Sequence, residues 1–169
     1  MDNVRVAVLN DVDVLIPIIP AEDNVDLIRG WGMPADVILR FVFPASDECF
    51  SILFNGRVVG LFGVMSSGNI WLMRGIGIDN VALRFVRHGH EFVDRWLVKY
   101  GRLFGYISKD YKKFIRWLAW EGFHMIDLNN GYLEISKSWD GRPAGRDGKD
   151  GRPTGRDGKD GRPTGMAGI

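Results

Sequence analysis

The stretch WLMRGIGIDNVAL, Trp71 to Leu83, carries the residues best suited to grip an anion. Gly75 and Gly77 stand between an apolar run and the pattern of a helix start. Glycines there allow close backbone approach to a phosphate, and the first amides of a helix offer free N–H groups at its positive end. Arg74, Gly75, Ile76, Gly77, Ile78 and Asp79 are therefore the candidate cofactor-binding residues. A purely structural role competes with this one: the glycines permit a bend before Asp79 caps the helix. A lone Gly-x-Gly is weak evidence for a cradle. The histidines form no constellation. His88 and His90 are two apart on a predicted helix and so point to different faces, while His124 alternates with apolar residues as a solvent-facing strand position does. No metal site is expected from them. Cys49 is the only cysteine, which excludes an intrachain disulfide and a thiolate cluster and suits a reducing compartment.

Several elements must position that loop. VRVAVL (Val4–Leu9) alternates as a strand does, and Asn10 is placed to cap a short helix with Asp13 in its first turn. Asn24–Gly30 and Pro34–Phe43 read as two further short helices. CFSILF and RVVGLFGVM flank Asn55-Gly56, a strong hairpin signal, and NIWLM supplies the next strand. A long helix is predicted from about Asn80 to Tyr100, with Val81, Phe85, Phe92, Val93, Trp96, Leu97 and Tyr100 on one face and Gly101 as its stop. RLFGYI is a strand, and Ser108 is placed to cap a helix from Lys109 to Glu121 whose buried side holds Tyr111, Phe114, Ile115 and Leu118. FHMIDL, NNG and YLEISK close the body as a hairpin. The order is β-ααα-β-β-β-α-β-α-β-β, an α/β (α+β) arrangement with a mixed sheet and helices on both faces.

Residues 1–138 form the expected domain. Beyond Trp139 stand GRPAGRDGKD, GRPTGRDGKD and GRPTG, a repeated decapeptide with no recurring apolar side chain to bury. Its glycine spacing breaks the every-third rule of a collagen helix once per unit, so 139–169 is expected to be a disordered Gly-rich tail, with an interrupted trimer as the alternative. The net charge is +1 overall, with the basic excess in the tail, which gives no strong case for nucleic acid as main partner. Lys99, Arg102, Lys109, Lys112, Lys113 and Arg116, with Trp96, Tyr100, Tyr111 and Trp117 nearby, nevertheless make either a phosphate or nucleic-acid surface or a solvated face around core aromatics. No signal peptide pattern and no apolar run of membrane-spanning length is present.

The element order, the glycines before the long helix and YISKDYKKFIRWLAWEGFHMI (Tyr106–Ile126) resemble the GNAT acetyltransferase superfamily. A narrower likeness joins the WGMP turn (Trp31–Pro34), FNGRVVGLFGV (Phe54–Val64), Trp71, RWLVKYGRLFGYI (Arg95–Ile107) and IRWLAWEGF (Ile115–Phe123). Together they resemble the GNAT-like internal virion protein A family of short-tailed, podovirus-type phages, over roughly residues 4–137.

The superfamily likeness implies a GNAT-like fold that holds acetyl-coenzyme A at 74–79 if the protein is active. Its loop usually reads Arg or Gln, two residues, Gly, one residue, Gly or Ala, whereas here Arg74 meets Gly75 directly. Where the superfamily commonly has a general-acid Tyr, this chain has Leu118, which cannot protonate a leaving thiolate. Tyr111 is the candidate substitute acid if the pocket has moved, with a core or rim aromatic as the alternative. Glu48, beside Asp47, is the candidate base, with an exposed turn carboxylate as the alternative. The phage likeness implies a protein on a degenerate fold, requiring no cofactor, that assists virion assembly or is packaged in the particle. Its partners would be other virion or assembly proteins, and its location the host cytoplasm or the virion interior. The alternative is an active acyl-coenzyme A-dependent N-acyltransferase.

Overall fold

The computed structural model describes residues 3–141. Its elements follow the expected order. Strands β1 (Val4–Val6), β2 (Ser46–Phe54), β3 (Arg57–Met65) and β4 (Ile70–Arg74) form one antiparallel sheet in the order β1-β2-β3-β4. Strands β5 (Arg102–Ser108), β6 (His124–Asp127) and β7 (Tyr132–Ser138) form a second, in the order β5-β7-β6. A single parallel bridge, Asn69 to Phe104, joins the two sheets. The expected mixed sheet is thus split: β4 and β5 start side by side, and their pairing stops before Arg74 and Ser108.

Two apolar layers cover the faces. Helices α1 (Leu9–Leu15), α2 (Ala21–Trp31) and α3 (Ala35–Val42) lie on one, where Val12, Leu15, Ala35 and Leu39 pack on Val58, Leu61 and Met73. Helices α4 (Ala82–Tyr100) and α5 (Lys112–Trp120) lie on the other, where Phe85, Val93, Trp96, Leu97, Trp117 and Leu118 pack on Val59, Phe62, Leu103, Ile107 and Ile135. A bulge at Val59 reconciles these patterns. Ile52 pairs with Gly60 but Leu53 with Val58, so Val58 and Leu61 reach one layer while Val59 and Phe62 reach the other. The Asn55-Gly56 turn has positive φ at both residues (50° and 74°), as its sequence signal implied.

Three expected caps differ. Helix α1 begins at Leu9 with Val8 as cap, not Asn10, because buried Asp11 reaches back to accept the Val8 N–H at 2.9 Å. Asp79 does not cap α4; it lies in a 3-10 turn (Ile78–Asn80), and Val81 precedes the helix. Ser108 does not cap α5 either. Its Oγ accepts the Asp110 N–H, and the helix begins at Lys112 with Tyr111 as cap residue. For α4 and α5 a turn precedes the helix proper, while for α1 the Asp11 carboxylate holds the amide of the cap residue. Trp139 packs on the α4/α5 layer and donates its N–H to Gly101 O at 2.7 Å. The repeat tail, from Arg142 onward, lies outside the described residues.

Candidate functional site

Two residues singled out separately in the sequence meet at the split between the sheets. Arg74 is the last residue of β4, and Tyr111 precedes α5; the Arg74 guanidinium carbon lies 4.8 Å from the Tyr111 ring centroid. Asp23 of α2 completes the cluster, accepting Arg74 Nε and Nη2 at 2.6 Å each. This carboxylate is 4% exposed. Its bonds to Arg74 raise the already high guanidinium pKa further. Burial, then the Asp23 carboxylate, push the Tyr111 phenol far above its ordinary range, and Arg74 offsets only part of this. Tyr111 therefore stays protonated at neutral pH, as a donor must. The sequence did not single out Asp23, although a signal exists. It shares an inward helical stripe with Leu27 and Gly30, and an acid on such a stripe needs a buried cation.

The glycine loop is turned inward. Gly75 N–H donates to Val59 O and Ile76 N–H to Ile18 O, each at 2.8 Å. Ile78, Asn80 and Val81 donate to Gly75, Gly77 and Ile78 carbonyls in the following turn. A Cβ on Gly75 would stand 2.7 Å from Leu15 Cδ1 and 2.9 Å from Ile18 Cδ1, so the side-chain space is filled by the protein's own core. Gly77, at φ 99°, makes the bend and has Val59 Cγ1 3.3 Å from its missing Cβ. Ile76 is 68% exposed and Ile78 partly buried against the α4 layer. Arg74 is thus held by Asp23 and the Gly75 and Ile76 amides donate internally, whereas the Gly77 and Asp79 amides donate to no carbonyl among the described residues. Gly77 makes the bend before the helix, which Val81 rather than Asp79 opens.

The other candidates are elsewhere. Glu48 accepts Arg95 at 2.7 Å, Lys99 at 2.9 Å and Trp96 Nε1 at 3.1 Å. Burial opposes its charge, but these donors outweigh burial and hold the carboxyl below its usual range, so it is a poor base. Arg95 lies about 20 Å along α4 from the helix start, at 1.5 Å per residue. Glu48 therefore fastens the far end of α4 and does not approach Tyr111. Leu118 is 1% exposed within the core. The basic cluster read from the sequence is also divided. Lys99 is held by Glu48, Arg102 by Glu134 at 3.9 Å and Lys109 by Asp127 at 2.5 Å, while Trp96 and Trp117 are buried. His124 is exposed, and His88 pairs with Glu91.

No protein-family model matches the chain, and no curated protein matches it. Solved structures do. The GNAT domain of S. lividans PAT superposes with a TM-score of 0.55 at 10% identity, over 80% of this chain and 89% of the other. An acetyltransferase from Streptococcus agalactiae gives 0.58 at 13% identity, over 80% and 97%. An aminoglycoside acetyltransferase solved in complex with coenzyme A gives 0.54 at 11% identity, over 80% and 94%. At these identities the likeness is one of architecture: the chain has the GNAT acetyltransferase fold.

Proposed function

We propose that this chain is a GNAT-fold protein that does not carry out acyl transfer and acts as a structural or assembly component of a phage particle. One observation carries the first half. The Arg74 guanidinium and the amides of Gly75 and Ile76, in the stretch where the superfamily likeness would put a cofactor, are bonded to Asp23, Val59 and Ile18. Buried Leu118 supports it, since no proton donor stands at that position. The phage role rests on the sequence likeness across residues 4–137 and on the order of its motifs. Calorimetry with acetyl-coenzyme A tests the first half: no heat of binding at millimolar cofactor is expected. Micromolar binding that Gly77→Trp abolishes would overturn it. Mass spectrometry of purified phage particles tests the second, with the protein expected among packaged or assembly-associated components.

A second reading is an active acyl-coenzyme A-dependent N-acyltransferase. It is favoured by the protonated Tyr111 phenol at the mouth of the split, beside Arg74. Acetyl-coenzyme A turnover that Tyr111→Phe reduces by at least about 100-fold, the lower range for a general acid, would establish it.

A further inference from the structure

The two helical layers differ in charge. Helices α1, α2 and α3 hold six carboxylates and two guanidiniums. Helices α4 and α5 hold seven Lys and Arg residues and two carboxylates. Most cations elsewhere in the fold have a partner: Arg5, Arg29, Arg40, Arg74, Arg95, Lys99, Arg102 and Lys109 all sit in ion pairs. Arg84 and Arg87 on α4, and Lys112, Lys113 and Arg116 on α5, are exposed and pair with no carboxylate among the described residues.

Arg87, Lys112, Lys113 and Arg116 share one end of one layer, whereas Arg84 lies on the β1 side of α4, beside Asn3, Val4 and Ile52. Strands β4 and β5 run parallel, so the helices that follow them start at the same end of the sheets. The two helices pack together through Gly89, whose missing Cβ would lie 2.7 Å from the Trp117 indole. On α5 the exposed row continues through Arg116 to Trp120, one turn further on, which is 68% exposed. From Lys112 to Trp120 the row spans about 12 Å at 1.5 Å per residue, the length of three to four stacked nucleotides at about 3.4 Å each.

We infer that the outer face of α4 and α5 binds single-stranded nucleic acid, with Arg87, Lys112, Lys113 and Arg116 on phosphates and Trp120 stacking on a base. Unneutralised cations supply a sequence-independent attraction for a polyanion. Trp120 decides between strand states, because an exposed indole can stack on an unpaired base, whereas a duplex hides its base faces. The proposal is independent of whether the β4/β5 split holds a cofactor.

Fluorescence anisotropy with a labelled oligo-dT of about 16 nucleotides, the upper end of common site sizes, tests it on the full chain. The parent is expected to bind oligo-dT more tightly than duplex of equal length, and to weaken steeply between roughly 50 and 200 mM salt. Trp120→Ala should weaken binding about tenfold and leave the salt slope unchanged. Lys113→Ala with Arg116→Ala should reduce the log–log salt slope by about 1.4, at roughly 0.7 per phosphate contact on a single strand. All variants change exposed side chains, and circular dichroism melting curves superimposable on the parent's confirm their folding. Binding unchanged in both variants would belong to the basic repeats of 142–165 and would overturn the proposal, as would equal or tighter binding of duplex, or no binding at all.

Discussion

Arg74 and Asp23, 51 residues apart, form a two-bond ion pair that ties the end of β4 to α2. The same helix reaches the second sheet. Tyr132 of β7 donates its hydroxyl to Asp26 O at 2.8 Å, and Trp31 meets Tyr106 of β5 edge to face. Gly30 permits this contact, since a Cβ there would stand 2.3 Å from the Tyr132 ring. Helix α2 therefore bridges the two sheets across the split that separates them.

Asp23→Ala should lower the free energy of unfolding by about 1–3 kcal/mol, because it leaves a partly buried guanidinium with only the exposed Glu22 carboxylate, 3.6 Å away. Adding Arg74→Met should recover part of that loss, since replacing both members of a buried pair costs less than breaking it. Urea denaturation of the two single variants and the double variant measures the difference.

Gly75→Ala should destabilise by about 1–3 kcal/mol through overpacking against Leu15 and Ile18. Gly77→Ala should cost about 1–2 kcal/mol because its φ of 99° disfavours an L side chain. Thermal melts read both. Millimolar acetyl-coenzyme A should raise the Tm of neither the parent nor the variants, in contrast to a ligand-binding loop.

Acid should unfold the protein partly through Asp11. Burial opposes its charge, but Arg5, the Val8 amide and Ser51 outweigh burial and hold its pKa below the ordinary 3.8. The native state thus binds its proton less readily than the unfolded chain. The resulting stability is present above the ordinary carboxyl range and is lost as pH falls through the depressed native pKa. Asp11→Asn should cost about 2–3 kcal/mol at neutral pH and flatten the stability profile below about pH 4. Denaturation across that window measures both effects.

Leu118→Tyr restores the residue type of an acyltransferase acid but should not create activity. Leu118 is 1% exposed, so the larger ring should overpack the core at a cost of about 1–3 kcal/mol. A thiol-release assay with acetyl-coenzyme A and a panel of amines is expected to show no turnover, and a melt to show the lowered Tm.

Much of the architecture was legible because it rests on local chemistry. The Asn55-Gly56 turn, the glycine stop at 101 and the apolar stripe of Val81, Phe85, Val93, Trp96 and Leu97 each follow from side chains a few residues apart. Helix starts were less legible. Asn10, Asp79 and Ser108 are good capping types, yet Asp11, the Ile78–Asn80 turn and Tyr111 satisfied the neighbouring amides differently.

The chemistry of the site depended on partners distant in sequence. Sequence alone determined that Arg74 abuts the glycine loop, that Leu118 stands where an acid would, and that the chain orders its elements as a GNAT fold does. Only the tertiary structure decided that Arg74 is neutralised by Asp23, that Glu48 is consumed by Arg95 and Lys99, and that Gly75 makes room for Leu15 and Ile18. The physical reason is the same each time. A charge or a glycine acquires its role from what it packs against, and here those partners lie dozens of residues away, on elements whose helical and strand periodicities reveal their faces but not their neighbours.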